Sequence, residues 1–193
     1  INIIPIKSGM IAIAYKGKLG NKDVIIKIKR KNILKKLKDG IDKMDYIVRL
    51  TSYLPYTNVL SLQDVFEENK EEMLKQNDFK NEVDVSQKVY NNFKYMDDIV
   101  IPKVYPEFTS ADNRIIVMDF LEGNSIRDVP SSEKYDYGKI VARYSMKSVL
   151  YDRLYHNDLH AGNIFFMETD GIKKIGVIDF GATGTMTRDQ QNI

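Results

Sequence analysis

The stretch YHNDLHAGNIFF, Tyr155 to Phe166, carries the chain's whole supply of histidine, with His156 and His160 on either side of Asp158. Asn163 follows in the order D-x-x-x-x-N. Two histidines without a cysteine do not make a usual zinc set. The expected work of His156 is to hydrogen-bond backbone and brace this loop. His160 is expected to position the loop or to contact a phosphate. The surrounding chain has 193 residues, 43% apolar and 29% charged, the profile of one ordinary globular domain. A net charge of only +2 gives no reason to expect a nucleic-acid partner. The absence of cysteine excludes disulfides and thiolate metal sites but fixes no compartment. No apolar run reaches the length of a membrane span, and the N-terminus does not read as a signal peptide. The first residue is Ile1, so the chain reads as a piece of something longer.

Working outward, the first thirty residues read as three strands: NIIPI, MIAIAYKGKL and, after a turn at Gly20-Asn21, DVIIKIK. The last of these places Val24, Ile26 and Ile28 on one face and Ile25, Lys27 and Lys29 on the other. Helical spacing follows over about 31–53, interrupted at Pro55, and again over about 60–75. A third helix, about 78–95, lines up Phe79, Val83, Ser86, Tyr90 and Phe93. KVYPEFT and RIIVMDFL read as two strands joined by SADN. A helix over about 135–154 precedes the strand pair NIFFMET and IKKIGVIDFG, joined at Asp170-Gly171. The basic run Lys27–Lys38 and the acidic run Asp64–Glu72 read as solvated helix faces, with a membrane-facing or acidic-partner surface as the sharper alternative.

Asp158 and Asn163 have the spacing of a kinase catalytic loop, where the Asp accepts the substrate proton and the Asn holds a metal ion. Downstream, a strand ends in Asp179-Phe180-Gly181, the D-F-G triplet whose Asp binds Mg²⁺ between nucleotide phosphates. Upstream, VIIK matches the strand whose lysine binds the α- and β-phosphates, which nominates Lys27. Each pattern alone is weak. Together, in this order and on these elements, they specify a kinase-like fold. Glu82 falls on the inward face of the third helix. A carboxylate there needs a partner, because a buried charge without one loses its hydration. Lys27 is the natural partner.

The phosphate-covering loop departs from the kinase pattern G-x-G-x-x-G-x-V. Lys7, Gly9, Ala12 and Ala14 stand at its four fixed places, so only the middle glycine remains. Lys7 lacks the backbone freedom of glycine; its side chain is expected to point into solvent, with attraction of phosphate as the alternative.

These residues resemble the UbiB/ADCK (aarF-domain) family of atypical kinases. YHNDLHAGNIFF is similar to that family's H-x-D-P-H-P-G-N loop, with Leu159 and Ala161 in place of the prolines. VIDFGATG resembles its I-D-F-G ending, and VMDFLEGNSI its V-M-E-F-x-E-G, with Asp119 for Glu. A separation of 55 positions between Lys27 and Glu82, closing with NDFKNEVDV, resembles its helical insertion. Here Lys7-Ser8-Gly9-Met10 replaces the family's alanine-rich loop, and Val85 replaces its usual Asn. The family's K-x-G-Q extension lies outside this chain, as does most of the helical lobe beyond the triplet. The resemblance implies nucleotide binding, ATPase-type activity and a link to ubiquinone or other isoprenoid-lipid metabolism. Aminoglycoside and choline phosphotransferases share a similar loop, but their Lys-to-Glu segment is usually short.

The expectation is therefore an α+β, protein-kinase-like bilobal fold with a helical insertion between the strand Lys and the helix Glu, and a truncated C-terminal helical lobe. The N-lobe covers about 1–121 and the partial C-lobe about 122–193. ATP and Mg²⁺ are the expected cofactors. Lys27 orients phosphates, Glu82 holds Lys27, Asp158 is the base or orients a water, and Asn163 and Asp179 hold Mg²⁺. Gly9 approaches the phosphates, and Asp119, Phe120 and Leu121 form the connector that meets adenine. The phosphate acceptor stays open, with a lipid or membrane-surface partner among the readings. An intracellular address is expected, with membrane association open. The alternatives are a small-molecule phosphotransferase and a nucleotide-gated binding module with little turnover.

Overall fold

The computed structural model describes residues 4–51, 62–75, 77–109 and 113–187. Four antiparallel strands form the upper sheet in the order β1 (Pro5–Ser8), β2 (Ala12–Leu19), β3 (Lys22–Lys29) and β5 (Ile115–Asp119). Gly20, at φ +58°, makes the tight turn between β2 and β3, which the sequence predicts. β3 is central, with Lys27 opposite Ala14 on one side and Ile116 on the other. A strand paired on both edges cannot slip, so Lys27 is fixed in register.

Two helices fill the insertion, α1 (Ile33–Thr51) and α2 (Leu62–Lys75). They pack on one another, with Ile33, Ile41 and Phe66 buried. Pro55 lies outside the described residues. Next comes α3 (Phe79–Phe93), started by Asp78, whose carboxylate accepts from the N–H groups of Lys80 and Asn81 at 3.0 and 3.2 Å. Its buried stripe is Phe79, Glu82, Val83, Ser86, Val89 and Phe93. Tyr90, expected on that stripe, is half-buried at its edge.

The lower half holds a second sheet, in the order β4 (Ile99–Val100), β8 (Ile172–Val177) and β7 (Ile164–Thr169). β4 pairs with β8 in parallel. β7 and β8 form a hairpin through Asp170-Gly171, both at positive φ, the pairing such a two-residue turn demands. A two-stranded ribbon joins β6 (Leu154–His156) to β9 (Thr183–Thr185). α4 (Lys134–Leu150) lays Tyr137, Ile140 and Tyr144 on this core, where Phe93 of α3 meets Tyr144 with ring centroids 5.0 Å apart. Phe93 is fully buried, and a phenylalanine so placed contributes about 2–3 kcal/mol of transfer free energy. α4 stops short of the predicted Leu154 because Arg153, at φ +55°, turns the chain out of the helical region.

One predicted strand is absent. KVYPEFT makes only a single bridge, Val104 to Met118, and then a 3₁₀ turn over Pro106–Phe108. Pro106 has no N–H to offer a ladder and its fixed φ suits the start of a helical turn. The strand of this region is instead Ile99–Val100, which serves the lower sheet. Of SADN only Asn113 is described. Among the described residues no helix is long and apolar enough to cross a membrane.

Candidate active site

Lys27 extends from the middle of β3 toward α3. Its Nζ donates to Glu82 Oε1 at 2.7 Å and to Asp179 Oδ1 at 3.2 Å. Glu82 is only 2% exposed, so the pair is made where water does not compete. Burial alone pulls the Lys27 pKa down, but Glu82 and Asp179 together outweigh it and hold the amine protonated. Burial pushes the Glu82 carboxyl up, and Lys27 opposes that push. Asp179 ends below the ordinary carboxylate range: burial raises it, but Lys27 acts in the opposite direction by charge and hydrogen bond. Phe79, one turn before Glu82 on α3, lies under Lys27 at 5.6 Å.

The loop around Asp158 and the D-F-G triplet are joined by the β6–β9 ribbon. Beyond the ribbon, Asn157 donates its N–H to Ala182 O at 2.8 Å and Ile178 donates to Asn163 O at 3.0 Å. Asn163 is buried, and its Nδ2 donates to the carbonyl of Asp158 at 3.0 Å. His156 accepts the Asp158 N–H at Nδ1, 3.2 Å away, and its ring meets Phe180 at 5.7 Å. Burial lowers its pKa, which favours the neutral ring this bond needs. His156 thus braces the loop, as expected. His160 accepts the Gly162 N–H at Nδ1, 2.9 Å, which places its proton on Nε2, 3.6 Å from Asp158 Oδ2.

Two adjoining cavities lie between the halves. One, about 250 Å³, is lined by Gly9, Lys27, Glu82, Asp158 and Asp179. The other, about 230 Å³ and mostly apolar, is lined by Ile25, Met118, Asp119, Phe120, Leu121 and Phe165. Lys7, Ala14, Lys27 and Asp179 belong to both. The predicted residues therefore converge from distant segments, except that Asn163 lies behind Asp158 rather than on either wall. The connector is fixed at both ends. Tyr105 donates its hydroxyl to Asp119 Oδ1 at 2.7 Å, and Asn124 exchanges backbone hydrogen bonds with Phe166 at 2.7 and 2.9 Å.

The sequence reading missed three contributors. Tyr105 sits in a segment read as strand. Arg30 donates to Gly9 O at 2.9 Å and to Ser8 Oγ at 2.7 Å, tying the loop to the end of β3. Lys7 is not among them: it is exposed, as expected, and lines the cavity as well. Only Phe79 had a legible signal, its place one turn from Glu82.

The donor set suits a hard, oxygen-loving cation. Asn163 commits its nitrogen to Asp158 O, which leaves its amide oxygen to ligate. Asp179 gives one oxygen to Lys27, which leaves the other. Among the described residues no cluster of three or more His, Asp or Glu forms a closed metal cage. A magnesium ion taking one or two protein oxygens and completing its shell from phosphates and water fits such a site.

A β-rich upper half, an ion-paired strand lysine and helix glutamate, and a loop aspartate facing a D-F-G aspartate across one cleft define a protein-kinase-like domain. The model of the ABC1 atypical kinase-like domain matches residues 1–193, and the chain belongs to that family. It is 29% identical over 196 residues to a probable protein kinase UbiB of Shewanella baltica, covering 96% of this chain and 35% of that protein. A probable serine/threonine-protein kinase abkC of Dictyostelium discoideum is 26% identical over 170 residues, covering 86% of this chain and 24% of that one. The chain thus spans about a third of the length, or less, of these curated relatives. Among solved structures, the complex of Rv3197 with erythromycin from Mycobacterium tuberculosis superposes with TM-score 0.75 at 24% identity, over 96% of this chain and 46% of that one. The Rio2 kinase–ADP/Mg²⁺–phosphoaspartate complex from Chaetomium thermophilum superposes with TM-score 0.52 at 13% identity, over 96% of this chain and 49% of that one.

Proposed function

We propose that this domain binds ATP with Mg²⁺ in the cleft and carries out phosphoryl transfer or ATP hydrolysis, in a protein linked to isoprenoid-lipid metabolism of the ubiquinone type. The observation that carries the reading is Lys27, clamped between Glu82 and Asp179 on the wall of a cavity that Asp158 shares. In this reading the N-lobe, about 1–121, supplies Lys27 and the loop at Gly9. The partial C-lobe, about 122–193, supplies Asp158, Asn163 and Asp179.

The apolar cavity at Asp119–Leu121 receives the adenine, with connector backbone as its hydrogen-bonding edge. Lys27 orients the phosphates, and Glu82 keeps its amine in place. Asp158 accepts the proton of the attacking hydroxyl or orients a water, with His160 beside it. Asn163 and Asp179 hold the magnesium, which when bound supplies charge neutralisation on the phosphate oxygens. Such chemistry asks the protein for alignment and charge stabilisation more than for covalent help. The isoprenoid link rests on the family resemblance, and the acceptor is left open.

The test is a thermal-shift titration with Mg-ATP on the full-length protein and on Asp179→Asn, beside an ATPase assay with and without isoprenoid lipid. The parent should be stabilised and the variant should not, while both fold. Equal stabilisation of the two would remove Asp179 from the metal site. Turnover that ignores lipid would remove the isoprenoid link.

A further inference from the structure

β1 does not run regularly alongside β2. Pro5 pairs with Tyr15 and Lys7 with Ala14, so two steps along β1 match one along β2. Ile6 is the extra residue of a bulge. In a regular strand neighbouring side chains face opposite sides, and a bulge re-aims the residues that follow it. Here Ile6 and Lys7 both line the connector-side cavity, and Lys7 lines the phosphate-side cavity as well. Arg30 then holds the end of the strand through Ser8 and Gly9, so the position of Lys7 is built into the sheet.

The charges of the wall give this placement a consequence. The phosphate-side cavity is lined by two cations, Lys7 and Lys27, and three carboxylates, Glu82, Asp158 and Asp179. Lys27 is already engaged by two of those carboxylates. The Lys7 side chain makes no ion pair or hydrogen bond with any of the described residues. It is the cation on that wall left to answer an incoming polyanion.

We propose that Lys7 is a second phosphate-binding residue of the cleft, aimed by the β1 bulge, which makes the site favour nucleotides by the length of their phosphate chain. The proposal rests on the nucleotide reading above. It assigns to a lysine the loop position where the kinase pattern has glycine.

The experiment is calorimetric titration of the full-length protein, Lys7→Met and Lys7→Arg with adenosine, ADP and ATP, each with Mg²⁺. Losing a charge-assisted hydrogen bond should weaken ATP binding by about tenfold or more in Lys7→Met, ADP less, and adenosine by under about twofold. Lys7→Arg should keep most of the ATP affinity. Unchanged ATP affinity in Lys7→Met, with the parent binding well, overturns the role of Lys7 alone. An equal loss for adenosine and ATP marks a merely structural residue and overturns it too. A parent that binds none of the three ligands overturns the nucleotide reading and this inference together.

Discussion

Lys27 and Glu82 stand 55 positions apart and meet at 2.7 Å, with Glu82 sealed from solvent. Removing one partner of a buried pair leaves the other charged and alone, at a cost of about 3–5 kcal/mol. Lys27→Met should lose about that much stability at neutral pH. With Lys27 gone, burial raises the Glu82 carboxyl unopposed above its ordinary 4.5. A carboxyl raised by folding stabilises the fold below its ordinary value, and that contribution is lost as pH rises through the folded value. The deficit should therefore shrink as pH falls toward that ordinary value, and Lys27→Met/Glu82→Gln should recover most of it at all pH. Urea unfolding across pH checks this, and a double variant no more stable than the single one would contradict it.

Tyr105 and Asp119 give a second pH signature. The hydrogen bond to Asp119, helped by burial, pushes the Tyr105 hydroxyl up to about 12 from 10.0. A hydroxyl raised by folding contributes fully below its ordinary value and loses that contribution as pH climbs toward the folded one. Tyr105→Phe should be less stable by about 1.5 kcal/mol at neutral pH, as expected for a bond to a charged acceptor. The gap should narrow between about pH 10 and 12. A gap constant across that range would show that the bond does not form in solution.

Gly123 packs against β7 with no room for a side chain. A Cβ there would stand 3.0 Å from Phe165 Cβ and 3.2 Å from the carbonyl of Phe166, neither of which can swing aside. Gly123→Ala should lift the connector off β7 and lower stability by about 1–3 kcal/mol, the usual range for overpacking. It should also weaken nucleotide binding by moving Phe120 and Leu121. Wild-type stability together with wild-type affinity would refute the close contact.

Arg30 is exposed and touches the loop rather than the core. Arg30→Ala should change stability by less than about 1 kcal/mol, as for other surface substitutions. It should nonetheless weaken Mg-ATP binding, because Ser8 and Gly9 lose their tether. Unaltered affinity would mean the loop holds its shape without it.

The site was more legible than the strands that support it. Periodicity alone put Glu82 among Phe79, Val83 and Ser86, and a buried carboxylate must find a cation. The D-x-x-x-x-N and D-F-G patterns lie on rigid short loops whose chemistry tolerates few other residues. β4 is Ile-Val, too short to show a period, and β9 is Thr-Gly-Thr, without an apolar residue; their pairing comes from where the chain returns. KVYPEFT had the composition of a strand, but Pro106 withheld the donor. That the exposed Lys7 also lines the cleft was hidden because a bulge is a matter of register, which a single strand's sequence does not display.

The far end of α3 is anchored in the lower half. Phe93 packs on Tyr144, the chain continues into β4 against β8, and Arg143 of α4 pairs with Asp98 between them. The helix that carries Glu82 is therefore a tie between the halves: Val89 and Phe93 sit in the lower core, and Phe79 and Val83 pack with Ala12, Ile116 and Met118 of the upper sheet. Lys27 rides on the upper sheet, so any travel of that sheet over α3 would draw Lys27 away from Glu82. The length of one salt bridge becomes the gauge of how far the jaws stand apart.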